Sequence, residues 1–310
     1  MSTLNKYVRA LTNPEFRFSA LSARGFYSKL SDEKFVKKKW KLMYGRGINL
    51  DNPQTLCEKL QWLKLYYRKP EFAGMVDKYE AKQVVSKKLG TEYVIPTLGV
   101  WNSVDDIDFD SLPDKFVLKP THDSGGLIIC RDKSKFDITK AKKKLGKSLT
   151  HDYYLNCREW PYKHVKRRIM AEPLIEKLGK PESIEYKTTC FNGKVAFVTI
   201  CSGIAHAEYE QRQNDHFDRD FNKMDWYVNY KPAKFTPGKP EQWDEIIKFS
   251  ETLSKDIPYL RVDTYLVDGK ILFGEMTFYT WGGFMHFEPE EWDLRLGQML
   301  ELPKEKSLMD

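Results

Sequence analysis

Long apolar runs are missing from this chain. No hydrophobic stretch approaches the roughly 20 residues that a membrane-spanning helix needs. Met1 to Ala10 has no apolar segment of signal-peptide type. Cysteine is scarce. Cys57, Cys130, Cys157, Cys190 and Cys201 are odd in number and show no CxxC spacing. That argues against structural zinc and a disulfide framework, and it fits a reducing cytoplasm. The phosphate loops G-x-G-x-x-G and G-x-x-x-x-G-K-[ST] are absent, as are internal repeats. No ribonucleoprotein motif or helix-turn-helix pattern occurs, so nucleic acid ranks last among partners.

What is present is a globular composition, 41% hydrophobic and 31% charged over 310 residues, enough for two or three lobes. The net charge of +7 is clustered. Lys34, Lys37, Lys38, Lys39 and Lys41 form one run. Seven lysines between Arg131 and Lys147 form a second, and Arg158, Lys163, Lys166, Arg167 and Arg168 a third. Such runs are usually solvated helix faces; the functional readings are an anionic substrate or an anionic membrane surface. Weak peripheral membrane contact through Lys34 to Lys41 is the expectation drawn from the first.

Residues 1 to about 75 read as helical, with Leu56, Leu60, Leu63 and Tyr67 at helical spacing before Pro70. Asp77 and Glu80 suggest a capping box for a helix with Ala81, Val84, Val85 and Leu89 inward, stopped by Gly90. Short strands are expected at Tyr93 to Pro96, Lys115 to Lys119, Leu127 to Cys130 and Arg168 to Glu172. Asp137 caps a helix with Ile138, Ala141 and Leu145 inward. Asn192-Gly193 joins Glu185–Phe191 to Lys194–Cys201 as a hairpin. Residues 202 to 240 read as irregular, a length usually functional or mobile. A helix from Trp243, a second hairpin and a helix from Pro289 to Leu300 close the chain. This order is α+β with antiparallel sheets.

The second hairpin carries chemistry. Even positions Leu260, Val262, Leu266, Leu272 and Met276 are apolar, whereas Arg261, Asp263, Glu275 and Thr277 are odd. Carboxylates on rigid strands can hold Mg²⁺ near phosphates. An ordinary half-buried hairpin with charges facing water shows the same pattern. A two-residue Asp268-Gly269 loop would put Asp263 and Glu275 on opposite faces. A three-residue loop, Val267-Asp268-Gly269, pairs Asp263 with Phe273 and Arg261 with Glu275, and brings the polar set together. A bulge near Gly274 gives the same parity. Elsewhere, Lys119 at a strand end offers a point charge for a phosphate, and Ser124-Gly125-Gly126 lets backbone N–H groups approach one.

The order of these parts resembles the ATP-grasp superfamily: Asp77-Lys78 opening a helix, Val117-Leu118-Lys119-Pro120 on a strand, Ser124-Gly125-Gly126, Glu172, Arg261-Val262-Asp263 and Glu275-Met276-Thr277. Thr277 stands where that superfamily usually has Asn. Asn49-Leu50 through Lys64, Phe116 to Cys130, Arg158-Glu159-Trp160-Pro161-Tyr162, Tyr186 to Gly193 and Phe273 to Tyr279 resemble its TupA-like branch, named for teichuronic acid biosynthesis. The resemblance spans about Tyr44 to Leu300.

The resemblance implies an ATP-grasp fold, two antiparallel-sheet lobes clasping ATP, preceded by a helical region at 1–75. Residues 76–310 form the ATP-grasp domain, with 76–170 its first lobe and 171–310 its second. Lys78, Lys119 and the Ser124, Gly125, Gly126 loop contact phosphates. Glu172 and the backbone N–H of Leu174 or Ile175 meet adenine. Glu185 is a candidate for ribose and Lys187 for phosphate. Asp263, Glu275 and Thr277 hold Mg²⁺, and Arg261 stabilises the charged transition state. His122 touches phosphate or acceptor, or is a turn residue. Arg212 and Asp218 in the irregular segment, with Trp281 and Gly282, are substrate candidates. The implied activity is an ATP-dependent carboxylate–amine ligase releasing ADP and phosphate, joining an amine to a sugar or nucleotide-sugar carboxylate in capsule or surface-polysaccharide assembly. A sugar or polyol kinase, and a glycosyltransferase or glycan-binding protein, are the alternatives.

Overall fold

Two Gly-containing dipeptides set the larger sheet. Asn192-Gly193 and Asp268-Gly269 take positive φ at both positions (50° and 79°, 53° and 74°), the requirement of a two-residue hairpin loop matching strand twist. The first joins β5 (Glu185–Phe191) to β6 (Lys194–Ser202), and the second joins β10 (Tyr259–Val267) to β11 (Lys270–Thr277). With β7 (Gln213–Phe217) and β8 (Lys223–Met224) they make a six-stranded antiparallel sheet, β11-β10-β5-β6-β7-β8. The computed structural model describes residues 12–179, 183–202, 213–228, 230, 232–233 and 237–308.

A smaller antiparallel sheet, β1-β4-β2-β3, is built from β1 (Gly99–Trp101), β2 (Phe116–Pro120), β3 (Ile128–Cys130) and β4 (Ile169–Pro173). Its apolar face packs Phe116, Leu118, Ile169 and Ala171 against Leu145. Leu145 belongs to α6 (Ile138–Thr150), capped by the Asp137 side chain on Lys140 N–H. Among the described residues the preceding α-helices are α1 (Pro14–Ser22), α2 (Asp32–Tyr44), α3 (Leu56–Tyr66), α4 (Glu71–Val76) and α5 (Glu80–Lys88). Helix α7 (Tyr154–Cys157) is one turn long; α8 (Trp243–Ser254) covers β5, β6 and β10. A two-stranded ribbon pairs β9 (Tyr227–Val228) with β12 (Phe287–Glu288), and α9 (Glu291–Met299) returns to α3. One large apolar core runs through α3, α4, α5, α8, α9 and the buried face of the six-stranded sheet. Among the described residues no helix is long and apolar enough to cross a membrane.

Several local expectations fail for identifiable reasons. Tyr93 to Pro96 is not a strand: Thr91–Tyr93 forms a 3₁₀ turn and the strand begins at Gly99. Ile138 points outward at 43% exposure, because Ala141 and Leu145 alone fill the contact with the sheet. Asp77 Oδ1 does accept from the N–H groups of Tyr79 and Glu80. The Glu80 side chain, however, reaches Arg168 (2.7 Å) rather than completing a capping box. The segment 202–240 contains β7, β8 and β9, hidden from a hydropathy reading because β7 is Gln-Asn-Asp-His-Phe. In α2, Lys39 is buried with Phe35, Val36 and Trp40, so the basic run is not one solvated face.

The β10–β11 register matters most. The loop has two residues, Val267 facing Lys270, so the three-residue loop is wrong. The alternative device operates: the ladder shifts between Asp263 and Thr264, leaving Gly274 as the extra residue of a bulge. Asp263 therefore faces Glu275 and Arg261 faces Thr277. Parity in β11 also changes across the bulge: Ile271 and Phe273 join Met276 in the core, and Leu272 moves to the other face opposite Tyr265. A Cβ on Gly274 would lie 2.9 Å from the Tyr265 ring and 3.0 Å from the Asp263 carbonyl oxygen. Gly274→Ala should accordingly lower stability by about 1–3 kcal/mol, the usual cost of forced overpacking. Urea unfolding measures this, and an unchanged midpoint would show that the bulge tolerates a side chain.

Candidate active site

Strand alternation lays polar side chains in one row across the open face of the six-stranded sheet. Glu275, Asp263, Lys187, Thr199 and His216 face one another in turn on β11, β10, β5, β6 and β7. Flanking them on the same face are Arg261 and Thr189, then Tyr265, Glu185, Cys201 and Asn214. Above this face opens a cavity of about 670 Å³, within the usual range for a small-molecule site. Its wall includes Lys78, Ser124, Glu185, Lys187, Arg261, Glu275, Thr277, Trp281 and Gly282. Nine of the residues singled out in the sequence thus share one surface.

Asp263 is the hub and has no exposure at all. Arg261 Nε donates to its Oδ1 (2.6 Å) and Nη2 to its Oδ2 (2.8 Å). Lys187 Nζ donates to the same Oδ2 at 2.6 Å. Burial alone would raise the Asp263 pKa, but Arg261 and Lys187 hold it below the usual carboxylate range. Burial likewise works against charge on Lys187, and Asp263 with Glu185 overcomes it, raising the Lys187 pKa. Arg261 Nη2 also donates to Glu275 Oε1 (3.0 Å), and Thr277 Oγ1 to the same oxygen (3.4 Å). Tyr265 donates to Glu185 at 2.8 Å.

A divalent cation fits this donor set. Two carboxylates face each other across one rung, a hydroxyl adjoins them, and a guanidinium already bridges both acids. The locus between them therefore accepts positive charge. Hard oxygen donors suit Mg²⁺. Among the described residues no group of three or more His, Cys, Asp or Glu side chains is placed to hold a metal, so Thr277 would be needed as the third protein donor.

The smaller sheet supplies a second cluster. Glu172 on β4 forms ion pairs with Lys119 (2.6 Å) on β2 and with Lys82 on α5. Burial raises its pKa, and the two lysines more than reverse that. Lys82, in the first turn of α5, was missed in the sequence. Lys78 Nζ donates to the Asp123 carbonyl, pinning the Ser124-Gly125-Gly126 loop, and burial lowers its pKa. Gly125 has φ 109°. Leu174 cannot be the free backbone donor, because its N–H bonds Lys115 O at 3.3 Å. Ile175 N–H makes no such bond among the described residues.

Other candidates fall elsewhere. His122 is buried with Nε2 3.1 Å from Ser148 O, facing α6 rather than the cavity. Asp218 shapes the β7–β8 turn by accepting from Asp220 and Asn222 N–H groups, and it is not on the cavity wall. Arg212 lies outside the described residues. Trp281 and Gly282 do line the cavity, in a turn where both take left-handed φ (55° and 64°).

The sequence reading gave no place in the site to three further wall residues, Lys39, Glu159 and His216. Lys39 Nζ lies 3.2 Å from Cys157 Sγ and 4.6 Å from the Phe284 ring centroid. His216 stacks on Trp226 with centroids 3.6 Å apart, and its Nδ1 meets Thr199 Oγ1 at 2.9 Å. Burial lowers its pKa from 6.5 to about 3. A neutral buried imidazole stabilises the fold above the unfolded value, and that stability is lost as pH falls toward the folded one. The chain should therefore lose on the order of a few kcal/mol between about pH 6.5 and pH 3. His216→Phe should lose markedly less; urea midpoints across that range test this, and parallel pH dependences would refute it.

Residues 58–301 match the protein family described as TupA-like ATPgrasp. No curated protein sequence matches the chain. Similar solved structures include a D-alanine–D-alanine ligase from Bacillus anthracis complexed with ATP (16% identity, 66% of this chain and 54% of that one, TM-score 0.39). Others are D-cycloserine synthetase DcsG (15%, 74% and 70%, 0.42) and an ADP complex of purK, an N5-carboxyaminoimidazole ribonucleotide synthetase (16%, 70% and 49%, 0.42). The chain spans about half the length of the first and third.

Proposed function

The chain belongs to the TupA-like ATP-grasp family, and on that premise we propose that it is an ATP-dependent carboxylate–amine ligase. In this reading a substrate carboxylate takes the γ-phosphoryl group, and an amine then displaces phosphate to leave an amide. The carboxylate is that of a sugar or nucleotide sugar in capsule or surface-polysaccharide assembly, the finer part of the proposal. One observation carries it: Arg261, Glu275 and Thr277 stand together on a cavity wall shared with Lys187, Lys78 and Ser124, with the buried Asp263 gripping Arg261 and Lys187 from behind.

Both reactants of the first step are anions, so the chain's work is to screen and position. Lys78 and the Ser124-Gly125-Gly126 loop serve the phosphates. Arg261 and Lys187 bring positive charge to the reacting end. Lys119, Lys82 and Glu172, with Ile175 N–H, form the nucleotide's opposite seat. Asp263, Glu275 and Thr277 would hold Mg²⁺, which when bound neutralises phosphate charge. Of the basic run in α2, only Lys34, Lys37, Lys38 and Lys41 remain exposed for the weak contact with anionic membranes proposed with this role.

Incubation with ATP, Mg²⁺ and panels of nucleotide-linked uronic acids and amines, followed by mass, should give ADP and a product condensed with loss of water. A phosphorylated sugar would indicate a kinase instead, and AMP would exclude γ-phosphoryl transfer. Lys119→Ala should weaken ATP binding by about 1.5–3 kcal/mol, the worth of a hydrogen bond to a charged group. Calorimetry showing wild-type affinity would count against this nucleotide seat.

A further inference from the structure

Among the described residues four carboxylates line the cavity: Glu15, Glu159, Glu185 and Glu275. Glu185 is held by Lys187 and Tyr265, and Glu275 by Arg261 and Thr277. Glu15 is partly exposed in the first turn of α1. Glu159 differs from all three. It is only 7% exposed, yet its carboxylate makes no hydrogen bond or ion pair with any described residue. The nearby ammonium groups bond other atoms and act on Glu159 only through space: Lys64 Nζ donates to Gly282 O (2.6 Å), and Lys39 Nζ to Cys157 Sγ (3.2 Å).

The chain invests structure in aiming this residue. Arg158 takes φ 60° at the end of α7 and is 1% exposed. Its Nη2 donates to Tyr27 O (2.6 Å), its Nε lies 3.7 Å from Asp32 Oδ1, and its guanidinium covers the Phe35 ring. That anchor turns the backbone so that the next side chain enters the cavity. Gly282 closes the other side: a Cβ there would lie 3.8 Å from Glu159 Oε1 and 2.7 Å from Cys157 Sγ. A mostly buried carboxylate with no fixed partner, reached only from the cavity, is a ready seat for a cation.

We propose that Glu159 is the seat of the amine co-substrate, its carboxylate binding the incoming ammonium and taking the proton that frees the nitrogen lone pair. This rests on the ligase reading above. The balance is complete within that reaction. R–NH₃⁺ gives one proton to Glu159. The nitrogen lone pair forms the C–N bond to the acyl carbon, and the acyl C–O bond breaks with its electron pair leaving on phosphate. The second nitrogen proton goes to that phosphate, giving HPO₄²⁻, and Glu159 returns its proton to solvent.

The electrostatic setting agrees. Burial pushes the Glu159 pKa up to about 7, with Lys64, Lys39 and Arg261 opposing and Glu275 adding. Cys157, Tyr153, Tyr162 and Tyr279 also border it, and burial raises the pKa of each of these tyrosines. Lys64 is itself lowered by burial to about 8. A base near neutrality both accepts and returns a proton readily.

The test uses the full chain at pH 7 with ammonium, ethanolamine, alanine and D-glucosamine as probes, followed by ligand-observed NMR, and with ATP titrated into the same samples. At least one amine should bind wild type, its N-acetylated form should not, and Glu159→Gln should weaken that amine at least tenfold with ATP affinity within twofold. The ¹³C carboxyl signal of Glu159 should titrate near pH 7 and move to lower pH when the amine is added. If Glu159→Gln does not fold, the N-acetyl contrast and the carboxyl titration decide. Equal binding to wild type and variant, a Glu159 midpoint in the ordinary glutamate range, or no amine binding while ATP binds, each overturns the proposal. Failure of ATP itself to bind removes the ligase reading, and this inference with it.

Discussion

A carboxylate fully removed from water must be neutralised where it stands, and Asp263 imposes that requirement on its surroundings. Arg261 and Lys187 answer it from the same strand and from the neighbouring one. Lys187 is then steadied by Glu185, and Arg261 by Glu275 and Thr280. The charged row is one mutually dependent unit, and the strand register that assembles it is fixed by Gly274. A one-residue slip would carry the polar set into the core.

The site joins two chemically different regions. At one end, fixed positive charge from Lys78, Lys187 and Arg261 borders the cavity. At the other, His216 held neutral, Asn214 and the ring of Trp226 line a wall with little net charge. Glu159 and the Thr280–Gly283 turn lie at the margin of the charged end, in the electrostatic reach of both Arg261 and Glu275. An acceptor with one reactive end and a hydroxylated body suits this gradient.

Where local rules decide the conformation, the sequence was legible. The Asn192-Gly193 turn, the Asp137 cap and the apolar stripe of α8 act over a few residues, and each can be read directly. What escaped depended on residues far apart. In β7, Asn214 and His216 face the cavity while Asp215 on the opposite face pairs with Lys223, so its alternation is not a hydropathy signal. The bulge was foreseen only as an alternative, because a left-handed Gly269 suits both loop lengths. Lys39 looked like one more lysine in a basic run, and only the packing of α2 shows that it turns inward. Glu159 sat inside a recognised motif without a role, since a carboxylate's lack of partners is visible only after folding.

The contact between α3 and α9 has a consequence for how the chain acquires its structure. Lys59 Nζ donates to the carbonyls of Gly297 (2.8 Å) and Leu300 (2.7 Å), and Cys57 N–H donates to Asp293. Gly297 packs so closely on the start of α3 that a Cβ would come within 2.2 Å of Gln54 O. These partners are separated by some 240 residues of chain. An emerging polypeptide at the usual 5–20 residues per second therefore waits on the order of ten seconds or more between the two halves of this contact. During that interval the apolar stripe of α3 has no permanent cover from α9. The small sheet, whose strands and covering helix all lie between residues 99 and 173, is free to close first.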